Sequence, residues 1–394
     1  MNDMVKPVAR HALGWLVIAN AVGLWLSLLL LFPGLQRGEW TYGRWIPVHL
    51  NGQLYGWTAM PLVAWLVWMY EIDRRSARAA AWAWSAALAL GCASWLGGGS
   101  SGKIFLDWKG GALAGLLAAM GVLWLILLGG RKSVWLVLGL IVLAAVPVMM
   151  AMAASPHTYP PVDPTTGGPT GSSLLGSTLG VVALMLILPA SVGLRCHFDA
   201  RGKGITLGFF WISLVVFAVT EWLGGSHFDY WQIGAMLMLV PWVVLLPRWW
   251  RRYVWPKETS AWRTSMLLWW ALLVVSGVTA FLPGALDRLK FTQGLVAHSH
   301  LAMAGFTTSF CAVILSTLGV RLGSTRDIVI WNLAAFGMVV ALSVMGWLEG
   351  AGNSWMIERP AWRTVGLAVR TLCGAVMVAV AAKWWWEMRK EHEI

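Results

Sequence analysis

Twelve stretches of this chain are each apolar for long enough to cross a bilayer, and that feature leaves room for few other folds. A hydrocarbon core about 30 Å thick needs roughly 20 apolar residues in a helix. The stretches run over 11–32, 47–70, 80–97, 110–129, 133–153, 173–194, 205–224, 229–247, 264–282, 294–318, 328–348 and 361–382. Unpaired backbone groups are too costly in lipid for these runs to be loops, and no alternating barrel pattern occurs, so each is expected to be an α-helix. Composition agrees: only 12% of residues are charged, against roughly 25% in a soluble domain. A water-soluble fold, a disordered chain and a nucleic-acid-binding domain are excluded. The expectation is an all-α, polytopic membrane protein forming one transmembrane domain over 1–394, its first apolar run retained as a helix.

The formal charge of +12 reads as an orientation signal rather than as an affinity for phosphate. With the N-terminus in the cytoplasm, 20 of the 29 basic residues fall in inner segments and eight in outer ones, with Arg370 inside the last apolar run. That bias predicts both termini inside a bacterial-type inner membrane. The longest connection, 154–172, carries Pro156, Pro160, Pro161, Pro164 and Pro169 and falls outside. Tryptophans at run ends (Trp249, Trp250, Trp255, Trp384, Trp385, Trp386) read as interfacial anchors. Cys92, Cys196, Cys311 and Cys373 lie far apart, without a C-x-x-C-H or zinc spacing, so covalently attached haem and a disulfide framework are not expected. No inverted repeat of the transporter kind is visible.

Of eight histidines, His11, His197 and His392 fall at inner ends and His157 in the proline-rich outer connection; all four read as solvated. The others carry chemistry. His49 lies in RWIPVHLNGQLYGW about a turn into the second run, and His298 and His300 lie in FTQGLVAHSHLAMAGF about two turns into the tenth. All three fall on the order of 10 Å below the outer surface at 1.5 Å per residue. An ionisable side chain at that depth is a functional-site candidate. Residues two apart on a helix point about 200° from one another, so His298 and His300 cannot ligate the same iron; they can instead hold two flat cofactors, one on each side of the tenth helix, and His49 can complete one of those sites. Neutral imidazole is the usual axial ligand of b-type haem.

Twelve runs, a histidine early in the second and H-x-H in the tenth resemble subunit I of the haem–copper oxidase superfamily, in its C-type (cbb-type) oxidase and nitric oxide reductase branch. PVHLNGQLYGW, KFTQGLVAHSHLAMAGF, GGSSGKIFLDWKG and VRTLCGAVMVA carry the resemblance. It implies His49 and His300 as the ligands of a low-spin haem b and His298 as the proximal ligand of a high-spin haem b. It implies Arg370 and outer basic residues facing haem propionates, a bidentate geometry that suits guanidinium. It also implies a second metal, held by one histidine from the sixth helix and a pair from the seventh. Here the sixth run has Ser and Thr but no His, and Ser226 and His227 stand where the pair is expected. One imidazole is poor support for copper, and Glu221, His227 and Asp229 offer only a mixed site.

Three readings follow. The first is a haem-b subunit moving electrons within a respiratory complex, with a degenerate copper site and electrons supplied by accessory membrane or periplasmic subunits such as a cytochrome c. The second is an active reductase of dioxygen or nitric oxide with an unusual non-haem metal near His227. The third is a transporter or haem-handling protein. Glu221 and Glu349 stand near run ends, as proton relays, propionate partners, partners of Arg370 or plain rim residues.

Overall fold

All twelve runs are helical in the computed structural model, which describes residues 3–100, 102–103, 105–155, 168–197, 199–352, 355–358 and 360–390. His157, His392 and most of the proline-rich connection lie outside the described residues. The helices are α1 (Lys6–Leu31), α2 (42–69), α3 (Arg74–Leu96), α4 (Gly110–Leu128), α5 (Val134–Ala154) and α6 (Gly171–Ser191). They continue as α7 (Ala200–Leu223), α8 (Tyr230–Trp250), α9 (Ser260–Ala280), α10 (Gln293–Thr317), α11 (Thr325–Glu349) and α12 (Ala361–Lys390). No strand occurs among the described residues.

Several helices outrun their apolar stretch, because polar turns extend a helix once its apolar part is fixed. α3 starts at Arg74, where the Asp73 carboxylate accepts from Arg75 N at 2.8 Å and Ser76 N at 3.1 Å, satisfying donors that have no partner within the helix. α2 starts at Tyr42 and runs through Pro47, which lies inside the helix and has no N–H to donate to the Gly43 carbonyl. His49 is therefore about two turns into its helix, deeper than the apolar run alone indicates.

Three helices change winding. In α8 the turns from Met238 to Val240 close on the third residue back, ahead of Pro241, which has no N–H to donate. In α2 and α10 the changes are wider π-type turns, over Gly52–Thr58 and Leu301–Thr307.

The helices pack as two units. One comprises 1–159, 307–338 and 364–394; its core holds the fully buried indoles of Trp57, Trp95, Trp108, Trp331 and Trp384. The other comprises 160–306 and 339–363 and is centred on Trp242, Trp250, Trp262 and Trp270. The anchoring role expected of the run-end tryptophans is corrected at four positions. Trp249, Trp250, Trp255 and Trp384 are buried. Trp249 donates to Leu186 O and Trp250 to Met185 O, so each indole keeps its hydrogen bond while its ring fills the core. Trp386 alone of that set is exposed. By contrast α5 and α7 present outward apolar faces, with Trp135 81% and Trp222 84% exposed, as helices bordering hydrocarbon do.

Candidate functional site

The setting of His49 begins with small residues. α1 offers Ala19 and Gly23, α2 offers Gly52 and Gly56, and the four-residue spacing on each helix brings the backbones close. A Cβ on Gly52 would stand 3.3 Å from the Ala19 Cβ, and one on Gly56 would stand 2.6 Å from the Trp15 Cβ. At this approach His49 Nδ1 lies 2.7 Å from Ala19 O. Gly23, one helical turn beyond Ala19, leaves that carbonyl open: a Cβ there would meet His49 Cε1 at 2.5 Å. A carbonyl oxygen only accepts, so Nδ1 carries the proton and Nε2 carries the lone pair.

α9 and the first part of α10 repeat the arrangement in the second unit. Trp269 packs where a Cβ on Gly305 would fall, and a Cβ on Gly277 would meet His298 Cε1 at 3.2 Å. The spacing from Trp15 to Gly23 equals that from Trp269 to Gly277, and the spacing from His49 to Gly56 equals that from His298 to Gly305. Each second glycine is followed by an aromatic residue and a threonine that end a π-type segment. The chain thus builds the same tryptophan–glycine and glycine–histidine contacts twice, around His49 and around His298. π-type turns are rare and concentrate at functional sites.

His298 Nδ1 lies 3.5 Å from Ser276 Oγ, and its ring meets Phe281 edge-on, with centroids 5.7 Å apart. His300, two residues on, donates from Nδ1 to Val296 O at 2.8 Å, which again leaves the lone pair on Nε2. His298 borders two cavities. One of about 380 Å³ is also lined by Ser276, Thr279, Leu289, Ser343 and Trp347; the other, of about 230 Å³, by Ser177, Thr178, Trp270 and Phe281. The larger falls within the roughly 300–1,000 Å³ of ordinary ligand pockets. Above it the Arg288 guanidinium lies 3.7 Å from the centroid of Trp347.

Glu349 fixes the entry of α10. Its carboxylate is buried, accepts Gln293 N at 2.7 Å and lies 3.4 Å from Arg363 Nε. Gly346 packs directly on Gly294, a contact that any side chain there would block. The position of His298 along α10 is thus set partly by a carboxylate on α11.

Arg370 is 6% exposed within α12 and lies near the Tyr42 hydroxyl at the start of α2. It stands near enough to His49 to act on it electrostatically. The other candidates separate. The Glu221 carboxylate accepts from Ser172 Oγ at 2.8 Å, Asp229 accepts from Ser226 N at 2.7 Å, and His227 is buried against the Phe228 ring. Among the described residues no three His, Cys, Asp or Glu side chains come together in a metal-ligating group. His197 is exposed as expected, but His11 is half-buried, its Nδ1 2.7 Å from Ser85 Oγ and its ring against Trp82, because α3 runs alongside the first turns of α1.

No family model matches the sequence and no curated protein matches it. Solved structures do match. A haem–copper terminal oxidase dimer, determined by cryo-EM, aligns with a TM-score of 0.55 over 97% of this chain and 83% of its own, at 10% identity. The chain has the fold of that protein.

Sequence reasoning singled out the three histidines and Arg370 as candidates but not Gly23, Gly277, the two tryptophans that seat the π segments, or the hold of Glu349 on Gln293. The W-x7-G spacing shared by Trp15–Gly23 and Trp269–Gly277 was the signal that could have found the first four.

Proposed function

We propose that this chain is a haem-b-binding membrane subunit that carries electrons within a respiratory complex, and that it belongs to the haem–copper oxidase superfamily. The observation that carries the reading is the pair of Nδ1-to-carbonyl hydrogen bonds at His49 and His300. An imidazole that binds a metal through one nitrogen nearly always donates from the other, which fixes the tautomer and the ring and makes the ligating nitrogen more basic. The oxidase-like fold supports the same reading.

In this reading His49 and His300 serve a low-spin haem and His298 a high-spin one, as the sequence resemblance implies. A bound haem supplies a one-electron couple. The chain's own groups do the rest. Ala19 O and Val296 O orient the imidazoles, Arg370 offers a cation to propionate oxygens, and the apolar cavity walls beside His298 keep water away. The motif likeness favours the C-type oxidase and nitric oxide reductase branch. Electrons enter from a partner, for which a periplasmic cytochrome c is the fitting class, with the His-bearing ends toward the outer side. Electron transfer is preferred to terminal reduction because Glu221, His227 and Asp229 turn to separate partners, a poor ligand set for a second metal.

Haem content and the carbon monoxide response of the reduced protein test the reading. His300→Ala should abolish the low-spin b-type absorbance and His298→Ala the carbon-monoxide-sensitive part. Spectra that neither substitution changes would contradict the ligand assignment.

A further inference from the structure

The inner ends of α1, α3 and α12 meet in the first unit. His11 packs on Trp82 and Ser85 of α3, and the Trp385 indole of α12 lies against Gly14 of α1. At this junction Arg10 of α1 lies within electrostatic reach of Arg74 and Arg78 of α3 and of Arg389 of α12. The Arg389 guanidinium lies 4.9 Å from the centroid of Trp385, which holds it over the junction. Arg10 Nε and Nη2 are buried and make no hydrogen bond among the described residues.

The carboxylates nearby are engaged elsewhere. Asp3 pairs with Lys6 at 2.7 Å and acts on Arg74, Asp73 accepts from Arg75 N and Ser76 N, and Glu387 lies 3.6 Å from Lys383. Among the described residues, four guanidinium groups therefore converge without a matching set of acids. Two buried donors on the innermost of them point to an acceptor from outside the chain.

We propose that Arg10, Arg74, Arg78 and Arg389 form a binding site for a phosphate group, and that its source is the headgroup of an anionic phospholipid. Planar guanidinium suits phosphate because it donates in pairs. The site lies where helices leave the hydrocarbon, at the depth of lipid phosphates, and basic pockets between helix ends on the inner leaflet take such headgroups. The basic surplus that orients the chain thus has a second use here. The proposal does not rest on haem binding.

Native mass spectrometry of the full-length detergent-purified chain, titrated with cardiolipin, phosphatidylglycerol, phosphatidylcholine or inorganic phosphate, provides the test. Anionic lipid should bind and phosphatidylcholine should not. Arg10→Gln and Arg389→Gln should each weaken the anionic lipid about fivefold, while Arg201→Gln, exposed at the start of α7, should leave it unchanged. Arg389 is exposed, so its variant reports even if Arg10→Gln folds poorly. Unaltered binding in Arg389→Gln, or equal retention of phosphatidylcholine, would overturn the site. Inorganic phosphate binding as tightly as the lipids would overturn the lipid source.

Discussion

At the scale of single residues, the account turns on how closely two glycines approach two imidazoles. A Cβ at Gly23 falls 2.5 Å from His49 Cε1 and one at Gly277 falls 3.2 Å from His298 Cε1. Contacts near 2.5 Å force displacement, while those near 3.2 Å are relieved by a shift of a few tenths of an ångström. Overpacking of this kind costs roughly 1–3 kcal/mol. Gly23→Ala should therefore strip most of the low-spin haem, measured as haem per protein, whereas Gly277→Ala should leave occupancy near that of the unmodified chain. Equal losses would show that the glycines do not set the rings. The histidines were legible in the sequence because an ionisable group inside an apolar run stands out by its chemistry. The glycines were not, because Gly23 belongs to another helix and its role appears only once α1 and α2 are packed.

Within single helices, the π-type segments do what no individual residue does. Each carries one more residue per turn than an α-helix, so the part that bears the histidine is rotated relative to the part that follows. Inserting one alanine between Thr58 and Ala59, which leaves the segment itself in place, should rotate His49 by about 100° relative to 59–69. Loss of haem with the chain still folded, followed by circular dichroism and haem content, is the expected result. Retention of the low-spin spectrum would show that the rotation between the two parts of the helix has no role in placing His49. Glu349 acts at the same scale. Glu349→Ala leaves the Gln293 N–H without its acceptor, which costs about 1–3 kcal/mol for a buried donor. Thermal unfolding should show that loss, and Glu349→Gln, which keeps an acceptor oxygen, should show less. Apolar run length located these helices to within a few residues, but winding was not legible. GQLYGWT and LAMAGFT read as ordinary helix until Trp15 and Trp269 are seen against Gly56 and Gly305.

For the molecule as a whole, twelve spans were legible because hydropathy over twenty residues is a strong, additive signal. Burial was less so: Trp250 and Trp384 look like interfacial residues in the sequence and are core residues in the fold, since only neighbouring helices decide which face of a run end meets lipid. Orientation is open to direct measurement. Cys196 lies exposed between α6 and α7, in a segment assigned to the cytoplasm by the basic-residue count. A membrane-impermeant maleimide should label it in inside-out vesicles and spare it in intact spheroplasts, with Cys196→Ser as the control. The reverse pattern would invert the topology. The central claim, that imidazole from these spans binds haem, is tested most directly by the reduced-minus-oxidised optical spectrum of the purified chain, with its haem quantified. The account predicts b-type absorbance at two haems per chain, falling when His49 or His300 is replaced by alanine; a colourless preparation, reconstituted with haem and still without a b-type band, would contradict it.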